Sequence, residues 1–485
     1  MKQKLSIAFI AIMLALFIAA CGSNNNEDEN LPNVGIDQLT QQHFLYDLDY
    51  MLYVLENNFA LFDVAYWARG VDIAAIVENT RAEILANPEI DALGFYVALT
   101  MNFLPLQGVA HFGIINPHFY TRLLDGSANS YVASWPGEAR RRLVHPRTLE
   151  FYRYLTYRDD ELDSIFETMA IHVLETQFQA MYNNIVALRE VELAQEFAQA
   201  IAGGNIDNIM PLWFRVLEII RNTPNVVTDI IEDGRVAYLS VRSFMQMQSL
   251  PLWQSQKNQI FDFYYEIQGF EHLIIDLRSN GGGEPDFALD ILLGALLEES
   301  VMVDGYAFVV LGEYSDEFAT NLMGREREFL GLRSVDSSLT NINEMLEEFY
   351  LPQFRIEDAE RLQYGFRTQT TIPAVHVPNF NGQPAFDGKV WLLTDGNMGS
   401  MAQISAWLFK EAEIATLVGD ITGGHFGGPR TIVALPNTGL LFQMDVFYVT
   451  DAHGRPLEAG TIPHYFNRSG MCALQTVLAL IDEQF

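Results

Sequence analysis

The sequence is poor in cysteine and in basic residues. Its 485 residues include only two cysteines, and 29 lysines and arginines stand against 62 aspartates and glutamates, for a formal net charge of −33. A protein that binds nucleic acid needs a basic surface to meet the phosphates, and the densest basic run, 140–142, is short. We therefore expect no nucleic-acid partner. The acidity itself mainly keeps the protein soluble and does not identify a substrate.

The sequence also lacks the common metal and phosphate motifs. No His-Glu-x-x-His sequence and no group of cysteines and histidines at zinc-ligand spacing occurs. Three glycines at 281–283 follow an apolar strand, but Glu284-Pro285 comes next where a phosphate-binding loop has Lys-Ser or Lys-Thr. We therefore predict no metal and no other cofactor.

No apolar run reaches the length of a membrane span. Lys2 and Lys4 precede the apolar run 5–20, which is shorter than the roughly 20 residues that a span requires. A positive segment, an apolar segment and then small residues form the layout of an export signal. Ile18-Ala-Ala-Cys21 resembles the lipobox of bacterial lipoproteins, in which the cysteine is acylated. The sequence thus predicts an exported protein of the bacterial cell envelope, periplasmic or on the outer surface, anchored to the lipid bilayer through Cys21.

The length of the chain predicts more than one domain. Apolar residues at spacings of three and four indicate helices in the first half, whereas strands alternate with helices after Pro224. This order predicts a layered α/β core preceded by an N-terminal helical domain. The predicted parts are a signal peptide and lipobox (1–21), a flexible tether (22–35), an N-terminal helical domain (36–120), a helical insertion (121–225) and a core domain (226–485).

The strongest chemical signal is a strand, turn and helix around one serine. The apolar strand 390–393 leads into Thr394-Asp-Gly-Asn-Met-Gly-Ser400, and an amphipathic helix follows. A serine at such a turn exposes its hydroxyl, and the N–H groups that open the helix point toward any oxyanion formed beside it. Taken alone, the pattern also fits a serine that merely caps the helix.

A second motif, Asp276-Leu-Arg-Ser-Asn-Gly-Gly-Gly283, ends a buried strand in glycines whose backbone lets a ligand approach closely. With the serine motif and Leu417-Val-Gly-Asp-Ile-Thr-Gly-Gly424, in this order, it resembles the tail-specific (C-terminal processing) serine peptidases. Their superfamily includes the tricorn protease core and the interphotoreceptor retinoid-binding proteins. Gly234-Arg-Val-Ala-Tyr-Leu-Ser-Val-Arg-Ser-Phe244 is similar to the strand that opens the family's core. The resemblance covers about 226–465 and implies a crotonase-like (ClpP-like) spiral β-sheet core with flanking helices.

The general base distinguishes the branches of this superfamily. The Ser-Lys branch has a lysine 25 residues after the serine, where this chain has His425. In the tricorn-like branch, a histidine from the N-terminal region is the base and a later glutamate orients it. Leu106-Gln-Gly-Val-Ala-His111 resembles the histidine motif, and Pro456-Leu-Glu-Ala-Gly-Thr-Ile-Pro463 resembles the glutamate motif. The resemblance therefore implies a Ser400-His111-Glu458 triad, closer to the tricorn and retinoid-binding branch than to the Ser-Lys branch.

The resemblance also implies the other parts of a peptidase site. The N–H groups of Met401 and of Gly282 or Gly281 would form the oxyanion hole. Two residues are candidate accessory groups: Gln403, and His425, which could be an alternative base, a substrate contact or a filler of the vacated lysine site.

The implied function is a lipid-anchored serine peptidase that hydrolyses peptide or protein substrates through an acyl-enzyme. Two other interpretations stay open. One is a catalytically inactive relative that binds an apolar ligand or peptide in the cleft between the domains, as the retinoid-binding relatives do. The other is a purely structural surface lipoprotein.

Overall fold

The computed structural model describes residues 34–126, 137–158, 161–162, 191–202, 211–212, 215, 218–219, 222–244, 250–316, 318, 332–336, 338–426, 428 and 430–483. The predicted signal peptide with Cys21, most of the tether and much of 121–225 lie outside these residues. Within the described part of the chain, no helix is long and apolar enough to cross a membrane.

The first part of the chain is helical, as its apolar spacing predicts. Asp72 and Asp91 cap two of the helices, since their side chains accept hydrogen bonds from the N–H groups of Ala75 and Gly94. Except for the last one, the helices of this region bury apolar residues in one large cluster with the core strands. They are α1 (Gln41–Asn58), α2 (Phe62–Arg69), α3 (Ile73–Ala86), α4 (Ala92–Asn102), α5 (Pro117–Leu124), α6 (Gly137–Leu143), α7 (Pro146–Thr156) and α8 (Val191–Ala202).

The rest of the chain is mixed α/β, which confirms the predicted fold class. Its strands are preceded by a short strand of the helical region, β1. The strands are β1 (Gly113–Ile114), β2 (Val226–Glu232), β3 (Val236–Val241), β4 (His272–Asp276), β5 (Val301–Val309), β6 (Leu332–Ser334), β7 (Thr340–Asn341), β8 (Tyr364–Ile372), β9 (Lys389–Thr394), β10 (Thr416–Gly419), β11 (Arg430–Ala434), β12 (Leu441–Asp445), β13 (Phe447–Asp451) and β14 (Tyr465–Phe466). The helices are α9 (Leu250–Glu266), α10 (Ile342–Glu348), α11 (Met401–Glu411) and α12 (Ala473–Asp482).

A six-stranded sheet forms the centre of the core, in the order β14-β10-β9-β4-β3-β2. All neighbours pair in parallel except β2 and β3. Leu273 and Ile275 of β4 pack with α9 and α11, whereas Ile274 packs with α12 on the opposite face. Helices therefore cover both faces of the sheet, which explains why the central residues of β4 are all apolar. Because β4 and β9 are parallel neighbours, the turns after Asp276 and Thr394 meet at one edge of the sheet.

A smaller antiparallel sheet, in the order β1-β12-β11, joins the helical region to the core. Gly113 of β1 pairs with Gln443 of β12, and Ile114 pairs with Phe442. Phe112 packs against Phe442, with ring centroids 6.2 Å apart. A third, antiparallel sheet has the order β13-β5-β8-β6, with β7 also paired to β8. The β1–β12 pairing brings the segment before Gly113 to the core.

Candidate active site

Ser400 occupies a strained turn directly before α11. Its φ of 50° and ψ of −125° lie where residues other than glycine are rare, at a cost of about 1–3 kcal/mol. Two backbone hydrogen bonds hold the turn: the Ser400 N–H donates to the Gly424 oxygen at 3.0 Å, and the Gly399 N–H donates to the Asn280 oxygen at 3.2 Å. The Ser400 side chain makes no capping hydrogen bond to the helix. The alternative that this serine merely caps α11 is therefore wrong.

The His111 ring lies between Ser400 and a buried aspartate. Its Nε2 atom is 3.1 Å from Ser400 Oγ, and its Nδ1 atom is 2.8 Å from Asp445 Oδ2. The Asp445 side chain is fully buried. An ionised carboxylate only accepts hydrogen bonds, so Nδ1 carries the imidazole proton and Nε2 is left as an acceptor for the serine hydroxyl. This is the arrangement of a nucleophile, a base and an orienting acid.

The register of the small sheet explains why His111 meets Asp445. In the antiparallel pairing of β1 with β12, Gly113 lies opposite Gln443. If this register is continued two residues before β1, residue 111 falls opposite residue 445. The Gln443 side chain reinforces this register, because its Nε2 donates to the His111 backbone oxygen at 2.9 Å.

The structure corrects the predicted partner of His111, because Asp445 and not Glu458 contacts the ring. Glu458 is fully buried, and its Oε1 lies 3.3 Å from Arg69 Nε. Its Oε2 accepts the Phe426 N–H at 2.8 Å, and the carboxyl also accepts the Ala110 N–H. Burial raises the pKa of Glu458 to about 7 against the opposing effect of Arg69. Glu458 thus binds the backbone before His111 and leaves the imidazole to Asp445.

Asp445 is the residue that the sequence-based triad missed. The sequence does contain a signal, because one acid, Asp445, lies within the largely apolar stretch Leu440-Leu-Phe-Gln-Met-Asp-Val446. A fully buried carboxylate is rare unless it is paired, so an acid in an apolar strand is a candidate functional residue. Its partner could not be named without the register of β1 against β12.

The glycine turn 281–283 packs against the serine turn. A Cβ atom on Gly282 would lie 2.7 Å from Met401 N and 2.8 Å from the Gly399 oxygen, and Gly282 has a φ of 93°. Glycine is therefore required for this close approach. Asp395 stabilises the segment that leads into the glycine turn, since its Oδ1 accepts the Ser279 N–H at 2.9 Å.

The predicted oxyanion donors differ in whether their N–H groups already donate a hydrogen bond within the protein. The Gly282 N–H already donates to Asn280 Oδ1 at 2.8 Å. Among the described residues, none accepts a hydrogen bond from the N–H of Met401 or of Gly281. Met401 and Gly281 are therefore the better candidates for holding a negative oxygen beside Ser400.

The two candidate accessory residues have different surroundings. Gln403 is buried in α11, where its Nε2 donates to Thr461 Oγ1 at 3.0 Å and its Oε1 accepts the Thr422 hydroxyl. It therefore joins elements and is not aimed at the serine hydroxyl. His425 lies against the serine turn, because its Cδ2 is 3.0 Å from the position that a Cβ on Gly399 would occupy. Burial, then the nearby Arg69, lowers the pKa of His425 to about 4.

No candidate metal site accompanies this arrangement in the described ranges, which hold no suitable group of three or more His, Cys, Asp or Glu side chains. The hydroxyl, the imidazole and the buried carboxylate lie in one line of hydrogen bonds. This line can deprotonate the hydroxyl during attack on an electrophilic carbon.

Comparison with known proteins gives one family. Residues 235–322 and 331–466 match the model of peptidase family S41. No protein of curated function matched the sequence. Similar solved structures include a candidate peptidase from Parabacteroides merdae (TM-score 0.45, 12% identity, 92% of this chain and 97% of that one). A second is mature CPAF (TM-score 0.44, 12% identity, 91% of this chain and 96% of that one). A third is the photosystem II D1 C-terminal processing protease (TM-score 0.31, 12% identity, 51% of this chain and 50% of that one).

Proposed function

We propose that the chain belongs to peptidase family S41, whose model matches residues 235–322 and 331–466, and that it hydrolyses peptide bonds through an acyl-enzyme formed on Ser400. The observation that carries the proposal is the 3.1 Å contact between Ser400 Oγ and His111 Nε2. An inactive binding protein would not need this contact, so the distance favours a working peptidase over that alternative.

The proposed reaction begins when Ser400 Oγ attacks the carbonyl carbon of the substrate. His111 Nε2 takes the hydroxyl proton, and Asp445 stabilises the imidazolium that forms. The carbonyl oxygen becomes an oxyanion, which the N–H groups of Met401 and Gly281 would hold; one such donor typically contributes about 3 kcal/mol. The C–N bond then breaks as His111 returns its proton to the leaving amine.

Deacylation repeats these steps with water. His111 takes a proton from the water as its oxygen attacks the ester carbon, and the proton then passes to Ser400 Oγ as the ester bond breaks. The strained backbone of Ser400 fixes the direction of Oγ in both half-reactions. The site needs no cofactor for either half-reaction.

The proposal is tested with a fluorophosphonate probe, which forms a covalent bond with an activated serine. We expect stoichiometric labelling that peptide mapping places on Ser400, together with hydrolysis of members of a peptide library. The Ser400→Ala variant should lose both, whereas Ser300→Ala, which removes an exposed serine, should keep both. Labelling of Ser400→Ala equal to that of the wild type would reject the proposed nucleophile.

We also propose that the protein is exported and acylated on Cys21. Support comes from the sequence alone, in the charged, apolar and small-residue order of 1–21. When the full chain is expressed in bacteria with a radiolabelled fatty acid, the wild type should carry label and sediment with membranes. Cys21→Ser should lose both properties, whereas Cys472→Ser, which removes the other cysteine, should keep them. Equal labelling of wild type and Cys21→Ser would contradict the anchor.

A further inference from the structure

Ala110, the residue before the proposed base, has both of its polar backbone groups hydrogen-bonded to side chains, those of the buried Glu458 and the half-buried His425. Its φ of 47° is unusual for a residue with a Cβ. Its N–H donates to the Glu458 carboxyl, and its oxygen accepts a hydrogen bond from the His425 ring. Because Ala110 directly precedes His111, these two hydrogen bonds lie next to the backbone that carries the imidazole.

The His425 ring also touches the other half of the site. Its Cδ2, Cγ and Cβ atoms would lie 3.0–3.3 Å from a Cβ on Gly399, so only the absence of that side chain lets the ring pack there. Gly399 immediately precedes Ser400. One imidazole therefore contacts the turn that carries the nucleophile and, through Ala110, the loop that carries the base.

The backbone around His425 is itself fixed. His425 has a φ of 56°, and its two chain neighbours are tied to the site. The Gly424 oxygen accepts the Ser400 N–H at 3.0 Å, and the Phe426 N–H donates to Glu458 at 2.8 Å. The ring is thus held on a segment that is hydrogen-bonded to the serine turn on one side and to Glu458 on the other.

We propose that His425 is a positioning residue that sets the distance between Ser400 and His111, by packing on Gly399 and donating a hydrogen bond to the Ala110 oxygen. This inference rests on the proposed peptidase function. It does not make His425 a second base, because His111 and not His425 is hydrogen-bonded to the serine hydroxyl. At neutral pH the His425 ring is uncharged and carries a single N–H, which donates to the Ala110 oxygen.

The test replaces His425 by alanine, asparagine and glutamine. A misplacement of about 1 Å at a reacting group costs about 10²-fold in rate, so His425→Ala should lower kcat by about that factor while KM changes less than about threefold. The amide of asparagine or glutamine can replace one ring N–H. One of these two variants should therefore recover kcat to within about tenfold of the wild type, and its identity shows which ring nitrogen donates.

The matched control is His272→Ala. His272 is a buried histidine outside the site, on β4, and its Nδ1 accepts the Trp391 indole N–H at 3.3 Å. Its loss should lower the melting temperature without lowering kcat. A folded His425→Ala protein with wild-type kcat would overturn the inference, as would failure of both amide variants to exceed alanine. If the wild type itself fails to label on Ser400, the proposed function fails instead, so the two failures are distinguishable.

Discussion

Replacing Ser400 with alanine should lower kcat about 10⁶-fold, and adding His111→Ala to it should lower kcat no further. The reason is that the hydroxyl and the imidazole act as one unit: neither is useful once the other is absent. His111→Ala alone should therefore cost nearly as much as Ser400→Ala alone. Single-turnover hydrolysis of a chromogenic peptide ester measures all three proteins on one scale.

A residual rate above that in water should survive in all three variants, because the backbone donors of Met401 and Gly281 remain. If the losses of the two single variants multiplied in the double variant, the residues would act independently. That result would contradict the hydrogen-bonded pair. Circular dichroism of each variant checks that the fold is kept.

Replacing Asp445 with asparagine should lower kcat about 10⁴-fold, the cost expected when the orienting acid of a triad is neutralised. An asparagine at 445 can donate its amide N–H to His111 Nδ1, which moves the ring proton to Nε2 and removes the acceptor from the serine hydroxyl. The rate should be measured with the same chromogenic ester as for Ser400→Ala, beside the wild type.

Glu458→Gln is the comparison that separates the two candidate acids. Glutamine keeps an oxygen that can accept the Ala110 or the Phe426 N–H, and it never touches the imidazole. We expect a kcat loss well below that of Asp445→Asn, accompanied by lower stability because Arg69 loses its partner charge. A larger kcat loss in Glu458→Gln than in Asp445→Asn would return the orienting role to Glu458.

The proposed nucleophile and base could be named from the sequence because each lies in a local motif. The turn at Ser400 is defined by the glycine and apolar residues around it, and His111 follows a short motif of its own. The layered fold can also be predicted from local sequence, since the spacing of apolar residues distinguishes helices from buried strands. These features need no knowledge of which distant segments meet.

The proposed orienting acid, Asp445, could not be named in this way because its contact with His111 depends on a long-range register. Asp445 is 334 residues from His111 along the chain, and only the pairing of Gly113 with Gln443 brings the two together. A shift of that pairing by one residue would turn the other face of β12 toward the base. Glu458 was misassigned for the same reason, because its motif shows that an acid is present but not which group it binds.

The two-residue strand at Gly113 couples chemistry to completion of folding. His111 reaches a hydroxyl 289 residues away only while β1 is docked on β12. Closing so long a loop carries a large entropic cost, and such contacts form late. A chain in which β1 has not yet paired with β12 would hold Ser400 without its proposed proton acceptor. The proposed peptidase activity would therefore appear only after β1 has paired with β12.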